Sequence, residues 1–289
     1  MVLRGPPDDR SVDALLEFGV VNLDKPPGPS AHQVAAWVRD MAGVDRAAHA
    51  GTLDPKVTGC LPMLLGDATR MAQVFDDSVK EYVAVLELHG PAPADLASVL
   101  AEFEGEIYQK PPKKSAVVRR LRSREILALD ALEVEDRRAL LRVRCESGTY
   151  VRKLCHDIGL ALGTGAHMGH LRRTTTGSFD DRKLVSLHDL VDALAWADEG
   201  DSDPLREVVQ PAERALVDLP SATIAESAAR EVAEGAPVYA PGLLDIDDVF
   251  RGDLVACYTP DGAAVCLGTL AGDPEADSGV VVDLERVLV

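Results

Sequence analysis

The sequence of 289 residues has no stretch approaching the about 18 consecutive apolar residues that a membrane-spanning helix needs, so no such span, and no membrane partner, is expected. Aromatic residues make up only 4% of a chain that is 46% hydrophobic, which leaves Val, Leu and Ala to build the core. Cysteine is sparse: Cys60, Cys145, Cys155, Cys257 and Cys266 are odd in number and form no C-x-x-C pair. That argues against a disulfide framework and fits buried free thiols in a reducing cytoplasm. The first 20 residues carry Asp8, Asp9, Asp13 and Glu17 and no apolar core, so no secretory signal is expected. Lysine is scarce too, 8 residues against 22 arginines, in a chain of net charge −18. Strong acidity ordinarily argues against nucleic-acid partners. Excess Asp and Glu with little Lys also fits a halophilic protein kept soluble at molar salt, where the Debye length is only about 3 Å and repulsion of phosphate is largely screened. Net charge therefore does not exclude RNA.

What the chain does contain is organised into two parts. Residues 1–17 are polar and acidic and read as a flexible lead-in. Phe18 to Leu23 is a short apolar run that ends in the rigid turn Asp24-Lys25-Pro26-Pro27-Gly28-Pro29. Ser30, with Gln33 three residues on, forms a capping box that opens a helix with Val34, Val38 and Met41 on its buried stripe and Gly43 at its end. Val79 to Leu88 alternates as a strand, with Tyr82, Ala84, Leu86 and Leu88 on one face. Leu96, Val99, Leu100 and Phe103 repeat at helical spacing. Ala139–Cys145 is a further strand, and Val151 to Leu162 a helix closed by Gly163. Strands and helices mix without a βαβ repeat, which predicts an α+β domain with a mixed, largely antiparallel sheet over 18–195. Residues 196–210, rich in Asp, Glu, Gly and Ser, read as an acidic linker. Short strands over Leu254–Tyr258, Ala263–Leu270 and Gly279–Leu284 predict a small β-rich domain over 211–289. This last region carries 4 basic and 15 acidic residues.

The strongest candidate for chemistry is Asp54 in His49-Ala50-Gly51-Thr52-Leu53-Asp54-Pro55. Pro55 pushes Asp54 out of helical geometry, and Gly51 and Gly59 bracket a loop whose backbone can approach another molecule closely. Such a carboxylate suits a nucleophile, a general base or a metal ligand; Asp-Pro is also a common turn starter. Lys110 to Arg124 holds seven basic residues (Lys110, Lys113, Lys114, Arg119, Arg120, Arg122 and Arg124) and no acid. It reads either as a track for a phosphate backbone or as a solvated loop. In Gly148-Thr149-Tyr150-Val151-Arg152, Tyr150 can stack on a base and Arg152 can pair with a carboxylate or phosphate. His156-Asp157, the Cys155/His156 neighbours and Gly163-Thr164-Gly165 lack the companions that metal or dinucleotide sites require and read as structural.

Taken in order, Asp24 to Ser30, His49 to Gly59, Lys80-Glu81-Tyr82, Gly148 to Arg152 and Gly165-Ala166-His167 through Leu171-Arg172-Arg173 resemble the TruB/dyskerin family of RNA pseudouridine synthases, archaeal branch. Gly235 to Gly242 is similar to the signature of a PUA domain, a small RNA-binding β barrel. The resemblance implies isomerisation of uridine within RNA, with Asp54 as the catalytic aspartate. It implies Tyr82 against the target base, Tyr150 as a second aromatic contact and Arg152 as the partner that keeps the aspartate ionised. His49 is implied to hold the flipped-out nucleotide and Leu171 to wall the pocket. No cofactor and no metal are implied. The implied substrates are transfer RNA, at uridine 55 of the TΨC loop, and ribosomal RNA. The latter would be modified within a box H/ACA particle, with a guide RNA and that particle's small proteins as partners. A non-catalytic RNA-binding scaffold is the alternative, in which Asp54 is dispensable; the presence of Asp54, Tyr82 and Arg152 together favours the enzyme. A phosphohydrolase using His156-Asp157 is the remote third reading.

Overall fold

The computed structural model describes residues 3–111 and 118–289. The larger sheet comprises β1 (Gly19–Lys25), β2 (Ala47–His49), β3 (Thr58–Leu65), β4 (Lys80–Leu88), β5 (Gly105–Gln109), β6 (Arg122–Glu135), β7 (Arg138–Cys145), β8 (Ala166–Thr176), β9 (Phe179–Asp180) and β10 (Gln210–Pro211). Its order is β10-β1-β3-β8-β4-β7-β6-β5, with β2 joined to β3 and β9 to β8. The β3–β8 pair runs parallel and the other pairs antiparallel. This is the mixed, largely antiparallel α+β arrangement that the sequence predicts.

Among the described residues, six α-helices accompany this sheet: α1 (Val12–Glu17), α2 (Ala31–Ala42), α3 (Leu96–Ala101), α4 (Val151–Ala161), α5 (Leu187–Asp198) and α6 (Asp203–Val208). The capping box at α2 is formed: Gln33 N–H donates to Ser30 Oγ at 3.2 Å, and Ser30 N–H to Gln33 Oε1 at 2.9 Å. Gly43 ends the helix with φ +65°, and Val34 and Val38 are buried. In β4 the residues from Lys80 to Leu88 alternate buried and half-buried, as the period-2 pattern requires. Two central strands escape that pattern. β3 is buried on both faces except at Thr58, so its run reads as continuous apolar sequence rather than as alternation. β8 is rich in His, Arg and Thr, yet lies between β3 and β4.

Two expectations are corrected. The described part of the lead-in, residues 3–17, is folded against the rest of the chain. Residues Pro7–Asp9 form a 3₁₀ turn, Ser11 caps α1, and the Arg4 guanidinium sits 4.4 Å from the centre of the Phe18 ring. Buried Arg10 makes a two-pronged pair with Glu213, at 2.8 and 2.6 Å. A bidentate arginine pair out of water holds a polar segment firmly in a way that composition does not reveal. The acidic linker is likewise absent. α5 runs on to Asp198, α6 follows, and Leu205 and Val209 are buried in the main core. Burial of these two apolar residues overrides the polar composition around them.

The second sheet comprises β11 (Ser221–Ile224), β12 (Val238–Tyr239), β13 (Leu243–Ile246), β14 (Leu254–Tyr258), β15 (Ala264–Leu270) and β16 (Val280–Val287), ordered β12-β16-β15-β14-β11-β13. α7 (Glu226–Ala233) packs its Ala229 and Val232 onto it. The two parts share an apolar core in which Phe18, Leu64, Met71 and Phe75 meet Ala256, Ala264, Leu267 and Leu288. Glu213, held by Arg10, also accepts the Ala264 N–H at 3.0 Å.

Candidate active site

The loop between β2 and β3 carries Asp54, and two buried cations fix it from below. Lys25, the last residue of β1, donates to the carbonyls of Pro26, Pro55 and Val57 at 3.0, 3.0 and 2.9 Å. Burial pushes the Lys25 pKa down, while the charge of Asp54 pulls it back up. Arg173 of β8 donates from Nε to the Cys60 carbonyl at 2.7 Å, and from Nη2 to the carbonyls of Ala50 and Gly51 at 3.3 and 3.2 Å. Gly51 has φ +87°. At Gly59, φ +98°, a Cβ would lie 2.2 Å from the Arg173 carbonyl oxygen, so β3 and β8 can pair there only through glycine. The Val57 N–H closes the turn onto the Asp54 carbonyl at 3.0 Å.

Above this base, the Asp54 carboxylate pairs with Arg152, the second residue of α4, and both side chains are about half exposed. Tyr150 precedes α4 and is held through its main chain by buried Gln109. The amide oxygen of Gln109 accepts the Tyr150 N–H at 2.9 Å, and its NH₂ donates to the Tyr150 carbonyl at 3.2 Å. Tyr82 is buried on β4, opposite Val143 of β7 and Arg173 of β8. Burial raises the Tyr82 pKa, opposed by the charge of Arg173 and by its hydrogen bond to the phenol. Arg173 therefore touches both the Asp54 loop and Tyr82.

The remaining expected residues lie around this centre. His49 Nε2 faces His32 Nδ1 at 3.5 Å with the rings edge-on, and burial, then His32, push its pKa down. Leu171 sits on β8 opposite Ala84. Asp54 and Arg152 are in direct contact, and Arg173 links Tyr82 to the start of the loop that carries Asp54. His156 Nδ1 meets Asp157 at 3.3 Å, and Asp157 also pairs with Lys153. Of the basic stretch, Pro112, Lys113 and Lys114 lie outside the described residues. Arg119 and Arg120 are exposed, and Arg122 and Arg124 enter β6 half-buried.

Sequence reasoning missed Lys25, Lys80, Gln109 and Arg173 as parts of the site. Lys80, also buried, donates to the Phe75 carbonyl at 2.6 Å and to the carbonyl and hydroxyl of Ser78 at 2.9 and 2.6 Å. Burial drives its pKa to about 8. A signal existed for both lysines. Val21, Leu23 and Lys25 share one face of β1, and Lys80, Tyr82 and Ala84 one face of β4, so alternation points both ammonium groups inward.

Residues 39–151 match the family model for the N-terminal domain of TruB family pseudouridylate synthases, and 152–217 that for the C-terminal domain of tRNA pseudouridylate synthase B. Residues 5–35 match a DKCLD domain and 220–288 a PUA domain. A probable tRNA pseudouridine synthase B of Haloarcula marismortui is 70% identical over 296 residues, spanning 100% of this chain and 94% of that one. One of Pyrococcus abyssi is 46% identical over 292 residues, spanning 98% and 87%. A chain of the crystal structure of a Cbf5-Nop10-Gar1 complex superposes with a TM-score of 0.93 at 45% identity, covering 99% of this chain and 90% of that one. A chain of an H/ACA RNP bound to a substrate RNA containing 2′-deoxyuridine gives 0.92 at 43%, covering 99% and 90%. Fold and sequence together define a pseudouridylate synthase with an appended PUA domain. Within that class, the chain belongs to the TruB family.

Proposed function

We propose that Asp54 is the catalytic carboxylate that converts a uridine of RNA to pseudouridine. The observation that carries this is the Asp54–Arg152 pair, standing on a loop that Lys25 and Arg173 fix through four carbonyl contacts. In the reaction the N1–C1′ bond breaks, the base turns, C5 bonds to C1′, and the C5 proton is lost as N1 gains one. Reactant and product have the same atoms, so nothing else is consumed. Preorganisation of the carboxylate matters because the target base must leave its stack, at about a few kcal/mol, before chemistry begins. Arg152 balances the Asp54 charge, Tyr82 lies against the base, and Tyr150 supplies a second ring for stacking, worth about 1–3 kcal/mol. His49 holds the extruded nucleotide and Leu171 walls the pocket.

The relatives' names support transfer RNA as a substrate, and the target we assign in it is uridine 55 of the TΨC loop. The likeness to chains of H/ACA assemblies supports work inside such a particle, with its small proteins as partners and a substrate RNA bound; the substrate and partner we assign there are ribosomal RNA and a guide RNA. The acidic composition and the haloarchaeal relatives support work at molar salt. Five free, buried thiols fit the cytoplasm. The test is to incubate the protein alone with an unmodified tRNA transcript and map pseudouridine, for wild type and Asp54→Asn. Wild type is expected to modify position 55, and the variant to bind the RNA with activity reduced by about 10³-fold or more. Near-wild-type activity of Asp54→Asn would remove the aspartate from the chemistry and leave the scaffold reading.

A further inference from the structure

The chain enters β8 through Gly165-Ala166-His167-Met168-Gly169, which runs beside the end of β4. His167 lies directly opposite Glu87, and the His89 N–H donates to the Gly165 carbonyl at 3.0 Å. Residues that are opposite each other, or two apart on a strand, share one face of a sheet. Glu87, His89 and His167 therefore project from the same side. It is the side away from Leu86 and Leu88, which are buried in the main core.

A glycine on either side of His167 makes room for its two neighbours. A Cβ on Gly165, φ +72°, would come 2.9 Å from Nδ1 of His89, and one on Gly169 would come 2.8 Å from Cγ of Glu87. The two imidazoles meet in that space. His89 Nε2 stands 3.0 Å from His167 Nδ1, with ring centres 5.2 Å apart and both residues exposed. One carboxylate oxygen of Glu87 lies over Gly169, and the other accepts Arg138 Nε at 3.0 Å. None of these groups touches Asp54, Arg152 or the loop beneath them.

We propose that His89 and His167 chelate a divalent transition-metal ion of the zinc, nickel and copper class, which clips the end of β4 to the start of β8. Imidazole nitrogens bind such ions at about 2.0–2.1 Å, so two of them at a right or tetrahedral angle stand about 2.8–3.4 Å apart. The 3.0 Å between His89 and His167 falls inside that range. The ion takes the place of the proton that the two rings share, and that proton leaves to solvent. Among the described residues no group of three His, Cys, Asp or Glu side chains is placed to hold a metal. Water therefore completes the coordination, and Glu87 offsets charge on the same face. Magnesium, which seeks oxygen ligands, gains little from two imidazoles. β4 carries Tyr82, and β8 carries Leu171 and Arg173. The clip thus ties, at one end, the two strands that the candidate active site occupies further along.

The test titrates nickel chloride into the full chain by calorimetry, with magnesium chloride as the control, after EDTA treatment and dialysis into molar potassium chloride. Wild type is compared with His89→Gln, His167→Gln and the double variant. Loss of an inner ligand should cost at least the about tenfold in affinity that loss of an outer-sphere partner costs, so each single variant is expected to bind nickel at least that much more weakly. Nickel should raise the urea midpoint of wild type and leave that of the double variant unmoved, because the ion binds only the paired strands. Pseudouridine formation without added metal is expected to stay at the wild-type level in all three variants. A footprint reads the site without any substitution: nickel should shield His89 and His167 from diethyl pyrocarbonate and leave exposed His188 reactive. The His32–His49 pair, 3.5 Å between nitrogens, is intact in every variant. Nickel binding of wild-type strength in the double variant would place the ion elsewhere and overturn the proposal. Equal binding of magnesium, or unchanged reactivity of His89 and His167 with nickel present, overturns it as well.

Discussion

The part of the chain built on the large sheet and the C-terminal domain use charge in opposite ways. The former buries Arg10, Lys25, Lys80 and Arg173; Lys25 and Arg173 end on main-chain carbonyls of the Asp54 loop, and Lys80 on those of Phe75 and Ser78. Among the described residues, β11 onward buries no charged side chain, although residues 211–289 carry 4 bases and 15 acids. The first 210 residues, with 26 bases and 33 acids, are acidic too. Net charge thus describes how each part meets solvent and says nothing of the site. There, the decisive charges are few, positive and buried. An ammonium or guanidinium out of water is costly unless it is hydrogen-bonded, so the bonds these groups make impose geometry on the carbonyls they hold.

Removing such a group should break the comparison most visibly. Arg173→Met takes away the donors to Cys60, Ala50 and Gly51 and the bond to Tyr82 at one stroke. Orphaned buried carbonyls cost about 1–3 kcal/mol each, so a loss of about 4 kcal/mol in denaturant unfolding is expected, with activity abolished. Lys25→Met strands the carbonyls of Pro26, Pro55 and Val57 but spares Tyr82. About 2–3 kcal/mol is expected there, with kcat falling more than RNA affinity because the Asp54 loop loses its floor. If both variants unfold at the wild-type midpoint, the buried cations do not hold the loop.

These residues also mark the limit of what could be read from the sequence. Helix α2 and strand β4 follow from local rules: a capping box with a terminal glycine, and strict alternation. The pairing of Asp54 with Arg152, 98 positions apart, came from the order of motifs and not from any spacing. β3 and β8 were missed because burial on both faces erases alternation in one, and polar composition masks burial in the other. Arg173 reads as a surface residue in Leu171-Arg172-Arg173. Only the parallel pairing of β8 with β3 turns it under the Asp54 loop, while its neighbour Arg172 faces away to Asp24 at 3.0 and 3.2 Å. The ordered lead-in depends in the same way on Glu213, about 200 residues distant.

A pH series separates the cost of a buried cation from its benefit. The Lys80 pKa of about 8 lies below its ordinary 10.5. Between those values the unfolded chain keeps the proton and the folded chain releases it. Stability therefore rises with pH across that window on account of this group, and carries its full desolvation cost below about pH 8. Relative to Lys80→Met, which has nothing to titrate there, wild type is expected to gain on the order of 2 kcal/mol between pH 7.5 and 10. Urea midpoints for the two proteins would show it as converging or crossing curves. Parallel curves would mean that the bonds to Phe75 and Ser78 keep the ammonium charged throughout.

The smallest effect belongs to the acids of the C-terminal domain, and its smallness is the point. Glu234 and Asp277 are exposed and have no ion-pair partner among the described residues. At molar salt their fields die within about 3 Å, so Glu234→Gln and Asp277→Asn should each change unfolding free energy by less than about 0.5 kcal/mol. As salt is lowered the screening length grows, and the neutralised forms should become the more stable by a few tenths of a kcal/mol, because self-repulsion in a region with 15 acids is relieved. A loss above about 1 kcal/mol at high salt for either substitution would show that surface acid here holds structure. The two regions would then differ in sign of charge but not in its use.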